Sequence, residues 1–117
     1  MTIKWVTVDP LVMSGEAFCY NTRLTVRQLL ELRRSGYDPA RLLREHPELR
    51  LVGVAHAYRY AGEHRDRYAE FFDRDGSLAG PGFTAEEAAV LPEALRIPGV
   101  VVAGKRKAAT RGAKAPA

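Results

Sequence analysis

The chain has 117 residues, a net charge of +4, 46% hydrophobic and 27% charged residues, which predicts one globular domain with a core that needs no covalent staples. Its single cysteine, Cys19, excludes an internal disulfide and a cysteine metal cluster. No apolar run approaches the roughly 20 residues of a membrane span, and Met1-Thr2-Ile3-Lys4-Trp5 lacks the pattern of a signal peptide, so the cytoplasm is the expected location.

In chain order, Ile3 to Val8 is β-branched and aromatic and predicts a strand, which Asp9-Pro10 turns. Ser14-Gly15 marks a second turn, and Ala17-Phe18-Cys19-Tyr20 a second short strand. Together they predict a β-hairpin arm, which two strands alone cannot stabilise, so it packs on helices or on a second copy. Thr25-Val26-Arg27-Gln28 has the form of a capping box opening a first helix. Val26, Leu29, Leu30 and Leu32 supply its core stripe, and Gly36 its left-handed C-terminal residue. Asp38-Pro39 opens a second helix with Leu42 and Leu43 facing inward, stopped by His46-Pro47.

A third helix is predicted from near Leu51 to about Phe72, with Leu51, Val54, Tyr58 and Ala61 at helical spacing and Gly62 as its weak point. Asp75-Gly76-Ser77 through Gly80-Pro81-Gly82 reads as loop. Thr84-Ala85-Glu86-Glu87 is a second capping box, opening a fourth helix that Pro92 ends. Val100-Val101-Val102 predicts a short edge strand, and the Lys/Arg/Ala composition from Gly104 onward predicts disorder.

Charge is distributed in blocks. Residues 23–50 carry seven arginines against four acids, residues 51–104 five arginines against eight acids. Residues 105–117 carry Lys105, Arg106, Lys107, Arg111 and Lys114 with no acid. Such asymmetry suggests a polyanionic partner, nucleic acid first, or a protein with its own charge pattern, against the plainer alternative of a solvated surface with a tail.

The run Ser14-Gly15-Glu16-Ala17-Phe18-Cys19-Tyr20-Asn21-Thr22-Arg23-Leu24-Thr25-Val26 resembles the signature of the bacterial family known as domain of unknown function 433. The likeness continues through Gly36, His46-Pro47-Glu48-Leu49 and Val54 to Tyr60, covering roughly residues 3–65. Gly15, Thr22, Arg23, Val26, Gly36, Pro47, Leu49, Ala57 and Tyr60 are the matching positions. The family's third helix usually opens with a capped, acidic turn; here those positions are Arg50, Val52 and Gly53, so the cap is lost and an apolar strip from Leu49 to Ala55 takes its place.

The resemblance implies a mainly α fold: a helix-turn-helix-like domain over 26–72 behind an N-terminal β-arm over 1–25. A C-terminal helix and partner-binding segment over 73–104 and a basic tail over 105–117 complete the expected organisation. It also implies an antitoxin of a type II toxin–antitoxin pair, of the VapB sort. Such a protein neutralises a PIN-like ribonuclease, binds double-stranded operator DNA as a homodimer, and has no catalysis or cofactor of its own. On that reading Arg50 stands where the second helix of the unit enters the major groove, and Arg27, Arg33, Arg34, Arg41 and Arg44 are phosphate contacts. Arg23 is read first as a structural residue of the arm and second as a phosphate contact. A nuclease site rich in carboxylates calls for cations from its inhibitor. Arg96, Lys105, Arg106 and Lys107 are the nearest offers, with Val100, Val101 and Val102 as a strand added to the partner's sheet.

Other chemistries fit poorly. His56 and His64 are two helical turns apart, Cys19 has a core position, and Gly76, Gly80 and Gly82 feed no phosphate-binding loop. Trp5, Tyr20, Tyr58 and Tyr60 are a stacking surface for single strands only if they are not core. The alternatives kept open are a protein-interaction module without DNA binding and a stand-alone transcriptional regulator.

Overall fold

Thr25 opens α1 (Val26–Arg34) as its capping box requires: its Oγ1 accepts from Gln28 N at 3.0 Å, and Gln28 Oε1 accepts from Thr25 N at 2.9 Å. The far end closes with Gly36 at φ 105°; Gly36 N donates to Arg33 O and Tyr37 N to Leu32 O, which spends two of the carbonyls a helix leaves unpaired. The inner stripe of α1 is Val26, Leu29, Leu30 and, one turn on, Arg33. α2 (Pro39–Glu45) is capped by Asp38, whose Oδ1 accepts from Arg41 N at 2.8 Å, and it buries Leu42.

The computed structural model describes residues 6–8, 16–19, 22 and 24–103. Within them β1 (Val6–Thr7) pairs antiparallel with β2 (Phe18–Cys19), Val6 opposite Cys19 and Thr7 opposite Phe18. The arm is tied to α1 through its backbone: Cys19 N donates to Leu24 O and Val26 N to Ala17 O. Ala17 and Cys19 are thereby buried in the core. Residues 1–5, 9–15, 20, 21, 23 and 104–117, with the expectations placed on them, lie outside the described residues.

α3 (Leu51–Glu63) starts at Arg50 with no side-chain cap. Its stability comes from packing: Val54, Ala55, Ala57, Tyr58 and Ala61 are buried, and the apolar strip after Leu49 is absorbed by the chain's own core. The helix ends one residue after Gly62, short of the expected Phe72. A Cβ at position 62 would sit 3.0 Å from Val100 Cγ1, so glycine admits the C-terminal segment here. The chain then doubles back through a 3₁₀ turn (Ala69–Phe71) that inserts Phe71 into the core.

α4 (Ala85–Ala88) is a single turn, opened by Thr84 and Glu87 as a reciprocal capping pair. Pro92 leads into a second 3₁₀ turn (Glu93–Leu95). Over its described residues 73–103, the segment 73–104, expected to be a C-terminal helix and partner-binding segment, shares one hydrophobic cluster with the helices. Leu78, Phe83, Leu91, Leu95, Val100 and Val101 join Val26, Leu29, Val54 and Tyr58. The result is mainly α with a small β element, and no helix among the described residues is long and apolar enough to cross a membrane.

Two glycines separate conformational strain from collision. Gly36 and Gly80 both have positive φ, but a Cβ at 36 meets nothing within 4 Å, whereas one at 80 would lie 1.9 Å from Arg33 O. Gly36→Ala should therefore cost about 1 kcal/mol and Gly80→Ala about 3 kcal/mol in urea denaturation; equal losses would contradict the close approach.

Candidate functional site

The arginines expected to face nucleic acid divide sharply. Arg33 is a correction: it is 1% exposed, because it follows Leu29 and Leu30 on the inner stripe of α1. Its guanidinium donates to Val100 O, to Leu78 O at 3.3 Å and to Gly80 O at 3.4 Å, and lies 4.6 Å from the centre of the Tyr58 ring. Burial pulls its pKa below the ordinary value, against the opposing effects of Tyr58 and Asp73. A side chain so enclosed is not a phosphate contact.

Arg27 and Arg34 clasp the turn after α3. Arg27 bonds Glu70 Oε1 and Arg67 O, both at 3.1 Å, and lies over Tyr68 and Phe71. Arg34 stacks 4.6 Å from the Phe71 ring centre and reaches Glu70 O at 3.4 Å. Arg41 lies 3.8 Å over Tyr37 and pairs with Glu45 at 3.0 Å. That hydrogen bond raises the guanidinium pKa and lowers the carboxyl pKa.

What remains is the edge formed by α2, the five residues 46–50 and the start of α3. Arg44 is exposed there, and no hydrogen bond, ion pair or ring contact occupies it among the described residues. Arg50 is exposed, its Nη1 turned onto Pro47 O and Leu49 O of its own turn. The acids of this edge are Glu45, paired with Arg41, and Glu48, 3.9 Å from His46 Nδ1. Arg23 lies outside the described residues.

The expected partner strand is a second correction. Val100 and Val101 are buried, and the segment's backbone is already committed: Phe83 N donates to Val101 O, Val102 N to Ile97 O and Gly99 N to Val102 O. Only isolated bridges form, Phe83 with Val102 and Pro98 with Val102. Without a free ladder edge and with its side chains inward, this segment has no strand to lend. Arg96 is spent closing the turn before it, with Nε and Nη2 on Leu91 O and Nη2 also on Ala89 O. Lys105, Arg106 and Lys107 lie outside the described residues.

Cys19 is buried in β2, and burial pushes its thiol up from the ordinary 9.0 to about 12. His64 stacks on Tyr60 with ring centres 4.1 Å apart and meets Tyr60 O through Nδ1 at 2.9 Å. Of the aromatic residues, Tyr58 is fully buried and Tyr60 half-buried, while Trp5 and Tyr20 lie outside the described residues. Sequence reasoning missed the cleft beside Arg33, which holds about 290 Å³ and is bordered by Asp73, Asp75, Ser77 and Ala103. Its signal was the position of Arg33, seven residues after Val26 and four after Leu29 on one helical face.

The described fold is a three-helix body behind a β-arm, closed by a C-terminal extension. Residues 6–61, just under half of the chain, match the family described as Protein of unknown function (DUF433). No curated protein and no solved structure matches the chain. The match stops at Ala61, so all three carbonyl partners of Arg33 lie beyond it.

Arg33→Ala strands three carbonyls and should cost about 3 kcal/mol or more. Arg33→Lys should recover only part of that, since an ammonium lacks the fork, while Arg44→Ala should leave the urea midpoint unchanged. A tolerated Arg33→Ala would refute the carbonyl clamp. For Cys19 the sign is that of a raised folded-state pKa. Its contribution is complete below the free-thiol value of 9.0 and is lost as pH rises toward about 12. A thiol reagent at pH 8 should therefore label native protein only at the rate of opening; labelling at the rate of a free thiol would contradict the burial.

Proposed function

We propose that the protein is a noncatalytic binding protein of the antitoxin type, one that neutralises a PIN-like ribonuclease and, as a homodimer, represses its operon by contacting duplex DNA. The observation that carries the DNA contact is the α2–turn–α3 edge. Two helices joined by five residues have the order of a helix-turn-helix unit, and α3 begins without a side-chain cap. Amide groups at an uncapped helix start carry partial positive charge and suit phosphate oxygens. Arg44 and Arg50 stand exposed on the approach to it, where a guanidinium fork grips a backbone or reads a guanine edge.

For the ribonuclease, Arg96 and Val100–Val102 serve the fold, and the other cations expected for it follow Ala103 in the sequence. Lys105, Arg106 and Lys107 are then the residues offered to a carboxylate-lined nuclease site. A second reading, a protein-interaction module without DNA binding, is favoured by one specific observation: Arg27, Arg33, Arg34 and Arg41 are all engaged within the fold.

Duplex binding followed by fluorescence anisotropy across a salt series separates the two. On the antitoxin reading, affinity falls steeply with salt, and Arg44→Ala/Arg50→Ala lowers it about tenfold while reducing the salt slope by about two. A flat salt response, identical in the variant, assigns the protein to the second reading. Retention of a nuclease at high salt by the tagged chain in its native lysate tests the partner separately.

A further inference from the structure

A second cleft, also of about 290 Å³, runs along α1 and is lined by Leu24, Gln28, Glu31, Leu32, Ser35 and His46. Residues 28, 31, 32 and 35 stand at the spacing that puts them on one helical face. The floor is apolar: Leu24 and Leu32 are half-buried, packed against the core yet lining the cleft. Gln28, Glu31 and Ser35 are exposed, and His46 is half-buried with its Nδ1 3.9 Å from Glu48 Oε2. Two of these residues are fixed in place, since Gln28 Oε1 accepts from Thr25 N at 2.9 Å and Leu24 O accepts from Cys19 N at 2.9 Å.

Glu31 is the one acid among these lining residues. Arg27 stands four residues before it and Arg34 three after, the spacings at which a helix pairs opposite charges. Both arginines are drawn elsewhere: Arg27 donates to Glu70 Oε1 at 3.1 Å, and Arg34 stacks 4.6 Å from the Phe71 ring centre. Among the described residues, no hydrogen bond or ion pair occupies the Glu31 carboxylate. The cleft also meets the last turn of α1, where Ser35 N donates to Glu31 O and Leu32 O, and a helix C-terminus carries partial negative charge. The arginine-rich block therefore presents negative charge above two leucines. Its complement is a methylene stem that ends in a cation, the form of a lysine or arginine side chain. The volume suits one such side chain, because pockets for small molecules run from roughly 300 to 1,000 Å³.

We propose that this cleft docks a lysine or arginine side chain of a partner protein, the stem laid over Leu24 and Leu32 and the cation held at Glu31. The contact uses neither Arg44 nor Arg50, so it stands apart from the duplex contact proposed above and does not rest on it. The same chain then offers a cationic edge to one partner and an acidic, apolar cleft to another.

The test tethers a weak side-chain contact so that it can be read. In the full chain, Ser35→Cys places a thiol on the cleft, one helical turn from Glu31, while the native Cys19 is buried and does not compete. Thiol–disulfide exchange at equilibrium then compares probes of the form acetyl-Cys-Gly-Xaa-amide, in which Xaa is lysine, norleucine (the stem without the charge) or diaminopropionate (the charge without the stem). The lysine probe should be captured about threefold better than either of the others, and Glu31→Gln should abolish its advantage over norleucine. Equal capture of lysine and norleucine, or an advantage that survives Glu31→Gln, overturns the proposal; equal capture of lysine and diaminopropionate removes the leucine floor and overturns it too. Sedimentation of the untethered chain addresses the other occupant. A dimer that Glu31→Arg dissociates would assign the cleft to a second copy and overturn the partner assignment, whereas an association state unchanged by Glu31→Arg supports it. Neither experiment contains DNA or a nuclease, so failure of the antitoxin reading is a distinct outcome.

Discussion

One buried guanidinium organises this protein. Among the described residues Arg33 carries its charge into the core without a carboxylate within ion-pair distance, and the cost of desolvating it is offset by three backbone carbonyls and the face of Tyr58. Those carbonyls belong to turns that would otherwise bury unpaired acceptors, so the helix and the extension each satisfy what the other leaves open. The constraint also fixes neighbouring sequence. Gly80 must be glycine because its backbone lies against Arg33 O, and the tetrad Leu78, Gly80, Val100 and Tyr58 positions the extension over α1 and α3.

The same economy governs the other arginines. Arg27 and Arg34 hold the 67–71 turn through Glu70 and Phe71, Arg41 stiffens α2 against Tyr37, and Arg96 closes the turn before Val100. Each is a planar fork set against carbonyls or rings, a use that lysine would not serve. A basic block in sequence is therefore partly a structural block in three dimensions. Among the described residues, exposed Arg44 on the α2–turn–α3 edge is left outside these contacts.

Local chemistry was legible in the sequence wherever a few adjacent residues decide it. The pairs Thr25–Gln28 and Thr84–Glu87, the Asp38-Pro39 start and the Gly36 stop all appear as their side chains dictate. What was not legible depends on residues far apart. Arg33 reads as one more solvated arginine until the carbonyls of residues 78, 80 and 100 are brought to it. The close approach of Val100 to Gly62 near the end of α3 is long-range, and the Val100–Val102 run looks like an edge strand only while its packing partners are unknown. β-branched residues mark burial as readily as strand. The family likeness carried the first 61 residues well and had no template for the segment that completes their core.

That segment bears on how the domain works. Residues 6–61 alone would leave Arg33 without acceptors and Tyr58, Val54 and Ala61 without the cover of Phe83, Leu95 and Val100. The exposed edge at Arg44 and Arg50 is built wholly from residues within the family match. The Lys105–Lys107 cations follow the cover directly. Val100 lies against both Arg33 and Gly62, so the buried arginine that closes the core also fixes the path of the extension over the end of α3.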